Sequence, residues 1–171
     1  MRLFFGLPLE IADAEAIAGW RRQALPEFRR PVPLENFHIT LCFLGEVSGH
    51  HCRDLCQAAQ ILGGGGFELG LDVMGFWPKN EICYLQPQRV PEALPQLAED
   101  CRGVARRVGL KVEKRRYQPH LTLARRCETA PPEPLLRPDF VLVFDRFALF
   151  ESARTRRGVT YEVVEEFPLA L

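Results

Sequence analysis

Two His-x-Thr-Leu tetrapeptides, His38-Ile39-Thr40-Leu41 and His120-Leu121-Thr122-Leu123, stand one in each half of this 171-residue chain. With only four histidines and five threonines in the whole sequence, chance is a poor explanation for the repeat. Two imidazoles with an ordinary pKa near 6.5 can serve at neutral pH as one base and one acid. A threonine two residues on adds a hydroxyl that can donate to an anionic oxygen. In-line hydrolysis of a phosphodiester has these requirements: one group takes a proton from water while another protonates the leaving oxygen.

Metal ions offer a competing route to that chemistry, but a two-metal site needs clustered carboxylates and histidines. Each motif here supplies one His and no Asp or Glu within two residues, so no metal is expected at the pair. The separate cluster His50-His51-Cys52 with Cys56 has i, i+4 spacing but lacks a second ligand pair at zinc spacing. Neutralising the phosphoryl charge would then fall to Thr40, Thr122 and an arginine. Arg125, five residues after His120, is the candidate, and Arg126 reads as its solvent-facing neighbour.

The elements that must position these residues follow from periodicity. Residues 37–43 alternate, with Phe37, Ile39, Leu41 and Phe43 on the face expected to be buried and His38, Thr40 and Cys42 on the other. Residues 120–123 alternate likewise, which places His120 beside Thr122. Residues 2–7 read as a strand and 10–25 as a helix stopped by Pro26, followed by a surface loop over 26–36. Cys52, Leu55, Cys56, Ala59 and Leu62 fall at helical spacing, ended by four glycines at 63–66. Those glycines have no phosphate-loop context, and no cofactor is expected. Strands are expected at 67–76 and 82–85, forming a hairpin. A helix over 91–108 carries the stripe Leu94, Leu97, Ala98, Cys101, Val104, Ala105 and Val108, and Gly109 stops it. A basic loop leads into His120, a Pro-rich loop covers 130–138, and two last strands span 140–150 and 159–167.

The chain therefore reads as two similar halves of a single α+β domain over 1–171. Each half would be a helix-backed, mostly antiparallel sheet, with both histidines meeting in a cleft between the two. Lys plus Arg and Asp plus Glu balance at 22 each, so no global field draws in nucleic acid or membrane. Of the 22 cations 19 are arginine, a bias that suits phosphate but also arises from codon usage. No apolar run is long enough to span a membrane and no export signal is evident. The six cysteines read as reduced thiols, and the expected location is cytoplasmic. Phe37, Trp77 and Tyr117 are aromatic residues near the expected cleft, open either to packing or to stacking on a base. Arginines 29, 30, 115, 116, 154, 156 and 157 could follow an RNA backbone.

The segments Phe37-His38-Ile39-Thr40-Leu41-Cys42-Phe43-Leu44-Gly45 and Tyr117-Gln118-Pro119-His120-Leu121-Thr122-Leu123-Ala124-Arg125 resemble the paired motifs of the two-histidine phosphoesterase superfamily. Within it, the chain is similar to the RNA 2′,3′-cyclic phosphodiesterases, also called 2′-5′ RNA ligases, over essentially its whole length. The resemblance implies a bilobal α+β fold with pseudo-two-fold symmetry around a central cleft. It also implies metal-independent opening of RNA 2′,3′-cyclic phosphate ends or cyclic nucleotides to 2′-phosphates. By that analogy His120 is the general base, His38 the general acid, and Thr40, Thr122 and Arg125 bind the phosphoryl oxygens. Cleavage or joining of 2′-5′ linkages on the same site, or RNA-end binding without turnover, are the alternatives. No protein partner is evident, and a monomer is expected.

Overall fold

The computed structural model describes residues 1–170. Its first sheet has the strand order β10-β9-β1-β3, built from β1 (Arg2–Pro8), β3 (His38–Glu46), β9 (Arg146–Thr155) and β10 (Gly158–Pro168). Its second sheet has the order β2-β7-β6-β5, built from β2 (Arg30–Pro31), β5 (Val73–Trp77), β6 (Ile82–Gln86) and β7 (Leu121–Arg125). A two-stranded ribbon pairs β4 (Phe67–Leu71) with β8 (Phe140–Phe144). All named strand pairs are antiparallel. The helices are α1 (Ile11–Ala24), α2 (Gly49–Ala59) and α3 (Ala93–Val108).

Both halves contain the same unit, two antiparallel neighbours joined through a helix: β1-α1-β3 in one and β6-α3-β7 in the other. The α+β, two-sheet reading of the sequence therefore holds; β3 lies at the edge of its sheet beside β1, whereas β7, beside β6, is covered on its other side by β2. The halves are not self-contained, however. Helix α3 packs against β3 of the first sheet and against α2. Leu3, Phe5, Leu7, Ile17, Ile39, Leu71, Leu85, Leu121 and Phe147 belong to one continuous apolar core drawn from both sheets. The stripe on α3 is buried as expected, and Gly109, at φ 99°, closes the helix in a left-handed conformation that a side chain would resist.

The loops before the two His strands are exchanged between the halves. The segment over 26–36 is not a free loop: β2 pairs with β7, with Arg30 opposite Arg125 and Pro31 opposite Ala124. Val32 N–H then donates to the Leu123 carbonyl at 2.9 Å. In the reciprocal direction Tyr117, from the loop after α3, donates its hydroxyl to the Thr40 carbonyl at 2.8 Å. Arg21 on α1 fastens the first crossing, because its Nη1 donates to Val32 O at 2.8 Å and Leu123 O at 2.7 Å. Burial lowers the Arg21 pKa from its usual value, and the two carbonyls keep the cation satisfied where water is scarce.

Three expectations from periodicity need correction. The strand expected over 67–76 is two strands in different sheets, broken at Asp72, whose carboxylate accepts from Gln88 N–H at 2.8 Å. The expected hairpin is β5 with β6 alone. The strand expected over 140–150 likewise divides at Asp145 into β8 and β9. On β3 the alternation fails after Leu41: register shifts against β1 make Leu41 and Leu44 extra residues, so Leu41 and Cys42 are both buried while Phe43 is turned outward, 44% exposed.

Replacing Arg21 by Leu removes two charge-assisted hydrogen bonds and is expected to cost about 2–3 kcal/mol. That is a fall in melting temperature of roughly 5–10 °C for a chain of this size, measurable by thermal denaturation. An unchanged melting temperature would mean that the crossing needs no such tie.

Candidate active site

His38 opens β3, directly after a 3-10 turn over Leu34–Asn36. Its Nδ1 lies 2.8 Å from the Asn36 carbonyl. A carbonyl can only accept, so Nδ1 carries the hydrogen and Nε2 holds the lone pair of the neutral ring. The Thr40 hydroxyl, 3.1 Å from Nε2, is the donor to it. Asn36 is itself fixed, its side-chain amide donating to the Val159 carbonyl of β10 at 2.8 Å. His120 repeats the device: its Nδ1 donates to the Gln118 carbonyl, two residues earlier, at 2.9 Å. Both rings thus present Nε2 as the nitrogen free for proton transfer.

Aromatic rings surround each imidazole. Phe4 and Tyr161 lie 4.9 and 4.8 Å from the His38 ring, with Phe150 stacked on Phe4 at 5.0 Å. Trp77 meets His120 edge-on at 4.6 Å and Tyr84 packs against Trp77 at 4.1 Å. Gly75 stands directly opposite Tyr84 on β5, and a Cβ there would collide with the Tyr84 ring, so glycine is what lets the tyrosine lie across the strand. Burial among these rings pushes the His38 pKa down to about 4, against the raising effect of the Asn36 hydrogen bond, with repulsion from Arg125 and His120 lowering it further. His120 is lowered too, by burial first and then by Arg125, against the Gln118 hydrogen bond. The charges of Arg125 and His120 reach His38, so the three groups form one electrostatic neighbourhood.

Three adjoining cavities make up the cleft. One, of about 270 Å³, is lined by His38, Thr122 and Arg125. A second is lined by His38, Thr40, Phe43 and Arg125. The third, which shares Phe43 with the second, is lined by Thr40, Trp77, Tyr117 and His120. The five residues singled out in the sequence line three cavities that share walls, His38 and Arg125 between the first two and Thr40 and Phe43 between the last two, and Thr122 lines the same cavity as the other motif's histidine. Arg126 is exposed, as its reading as a solvent-facing neighbour expects, and also lines the His38 cavity. Phe37 is buried core, with the Arg21 guanidinium 5.1 Å from its ring centroid. Arg29 pairs with Glu128 at 3.5 Å on the exposed surface. Among the described residues no group of three or more His, Cys, Asp or Glu is placed to hold a metal ion, and the nearest to the α2 cluster is an exposed His50–Asp54 contact at 3.4 Å.

Sequence reasoning missed Asn36, Phe4, Phe150, Tyr161, Tyr84 and Phe43. One signal was present: a polar residue stands two before each His, as Asn36-Phe37-His38 and Gln118-Pro119-His120, although the bonded group is the backbone carbonyl rather than the side chain. Phe4 and Phe150 read as ordinary strand residues, and only the sheet pairing of β1 with β9 brings them together beneath His38.

The arrangement also has relatives. The 2′-5′ RNA ligase superfamily matches residues 8–156. The Escherichia coli (strain K12) RNA 2′,3′-cyclic phosphodiesterase is 34% identical over 169 residues, covering 98% of this chain and 96% of its own. The Bacillus subtilis (strain 168) protein of the same name is 27% identical over 98% of this chain and 96% of its own. Among solved structures, a phosphoesterase superposes with a TM-score of 0.92 at 33% identity, covering 99% of this chain and 98% of that one. E. coli LigT complexed with ATP superposes with a TM-score of 0.88 at 32% identity over the same shares. With its paired His-x-Thr strands and these matches along nearly its full length, the chain belongs to the 2′-5′ RNA ligase superfamily.

Proposed function

We propose that the protein hydrolyses RNA 2′,3′-cyclic phosphate ends to 2′-phosphomonoesters, with a histidine acid–base pair and no metal ion. The observation that carries this reading is the pair of carbonyl-locked imidazoles, His38 sharing cavities with Thr40, Thr122 and Arg125 and His120 sharing one with Thr40. The names of the relatives support the substrate class. Among the described residues the cavities around His38 have no carboxylate in their lining, which is the donor type a divalent ion would draw on.

In the reaction His120 Nε2 takes a proton from water as the water oxygen bonds to phosphorus, and the bond from phosphorus to O3′ breaks. His38, protonated at Nε2, gives its proton to O3′, leaving a 2′-phosphate and a 3′-hydroxyl. Proton exchange with solvent resets both rings. The lowered proton affinity of His38 makes it a ready donor once loaded, and the order of the two roles follows the family resemblance. The anionic phosphoryl group favours that loading, and Arg125 and the two hydroxyls hold its oxygens. The same groups run in reverse would join a 2′-phosphate end through a 2′-5′ linkage, the activity in the superfamily's name. All five residues come from one chain with one continuous core, so we take it to act as a single-domain monomer. Its six free thiols fit a cytoplasmic setting, and among the described residues no helix is long and apolar enough to cross a membrane.

His38→Ala and His120→Ala are each expected to lower turnover of a cyclic-phosphate oligoribonucleotide by about 10²–10⁴-fold. Thr40→Ala and Thr122→Ala should lose roughly ten- to hundredfold. Near wild-type rates in either histidine variant would refute the mechanism.

Because burial lowers both rings in the free enzyme, the bell in kcat/KM is expected to peak below pH 6.5. The kcat profile should lie at higher pH, since bound phosphate favours the imidazolium. Coincident profiles centred above pH 7 would contradict the assignment.

Stability has its own pH signature. Between about 4 and the ordinary 6.5 the unfolded chain binds a proton at His38 that the folded chain does not. The contribution is therefore fully present above 6.5 and lost as pH falls toward 4. Urea unfolding of wild type and His38→Gln across that window should show the wild type declining more steeply, and parallel curves would exclude a buried neutral ring.

A further inference from the structure

A single cyclic phosphodiester carries one negative charge, yet the cavity shared by His38 and Thr122 is lined by Arg30, Arg125, Arg126 and Arg157 and by no acidic residue. Among the described residues none of these four guanidiniums pairs with a carboxylate, although the chain as a whole has as many acids as bases. The concentration is local and is held against its own repulsion. Arg30 stands directly opposite Arg125 on the β2–β7 pair, where like charges destabilise an antiparallel ladder. Arg126 sits at φ 54°, in the left-handed region that a residue with a Cβ seldom adopts. Arg157 arrives from the β9–β10 turn, beside Gly158 and Val159.

The opposite flank is built differently. Around His120, Arg115 and Arg116 share their cavity with Glu113, and Arg115 pairs with that carboxylate at 3.2 Å. Arg102, in the same lining, lies 3.8 Å from Glu99. Among the described residues Arg116 alone lacks a carboxylate partner around His120, whereas all four arginines lining the His38 cavity lack one, so most of the unneutralised positive charge is on the His38 side.

We propose that Arg30, Arg126 and Arg157 form a second phosphate subsite, next to the one that holds the cyclic phosphate, for the 5′-phosphate of the terminal nucleotide. This deepens the reading above and rests on it. In an RNA end that group is the last internal phosphodiester, so the strand leaves the cleft over Arg30 and Arg157, away from Glu113. The subsite makes the enzyme selective for strand ends over free cyclic nucleosides, and it reads charge rather than base identity.

The test compares three substrates: a nucleoside 2′,3′-cyclic phosphate, the same compound bearing a 5′-phosphate, and a dinucleotide ending in the cyclic phosphate. Wild type is expected to turn over the second and third with kcat/KM roughly ten- to hundredfold above the first, the range of one charge-assisted contact, with the advantage shrinking as salt rises. Arg157→Gln and Arg30→Gln should each remove most of that advantage while leaving the first substrate's turnover unchanged, which also shows that the variants are folded. Equal kcat/KM for all three substrates in wild type, or a variant that slows all three equally, overturns the subsite while leaving the parent reading intact. No turnover of any of the three overturns the parent reading and the subsite with it.

Discussion

An imidazole can take or give a proton at a defined place only if its two nitrogens are kept distinct. In both motifs a backbone carbonyl two residues before the ring makes that distinction, accepting from Nδ1 and leaving Nε2 to the cleft. The device uses only the local chain path into a strand, so one sequence pattern could be written twice and yield the same ring orientation in each half. The aromatic packing around the rings then sets their proton affinity, by removing water from the charged form. Orientation and affinity are thus governed by different residues, and the second can change without the first.

The reciprocal loops hold the two locked rings close enough for the charge of one to act on the other. A His on β3 and a His before β7 belong to different sheets, and separate sheets would hold them at no fixed relation. Here the chain before β3 pairs along β7, while the loop before β7 bonds to the Thr40 carbonyl on β3. Arg21 bonds to both partners of the first crossing, and α3 packs on β3 from the other half. Relative motion of the sheets would break these ties and open the common core. Geometry of the kind that acid–base catalysis demands is therefore a consequence of how the halves are interleaved.

What could be read from the sequence follows a physical division. Elements whose signal lies within themselves were legible: the stripe of α3, the glycine stop at 109, the apolar β1, and the alternation that puts each His beside its Thr. Features that depend on a distant partner were not. Phe43 should be buried by period two, but bulges against β1 turn it out, and nothing local announces them. Asp72 and Asp145 each break an apolar run, the one trace of the divisions between β4 and β5 and between β8 and β9. Strand β2 has two residues and exists only because β7 lies beside it. The candidate site residues were visible because their chemistry is in their side chains, whereas Asn36 and Gln118 contribute carbonyls that any residue would supply.

The central claim is that two carbonyl-locked imidazoles, one neutral as base and one protonated as acid, open a cyclic phosphate toward the 3′ oxygen with no metal ion. It is tested most directly by incubating the protein, in the presence of a chelator, with an oligoribonucleotide ending in a 2′,3′-cyclic phosphate and separating the 2′-phosphate from the 3′-phosphate product. The account predicts a 2′-phosphate formed at an undiminished rate; a 3′-phosphate product, or activity abolished by the chelator and restored by a divalent ion, would contradict it.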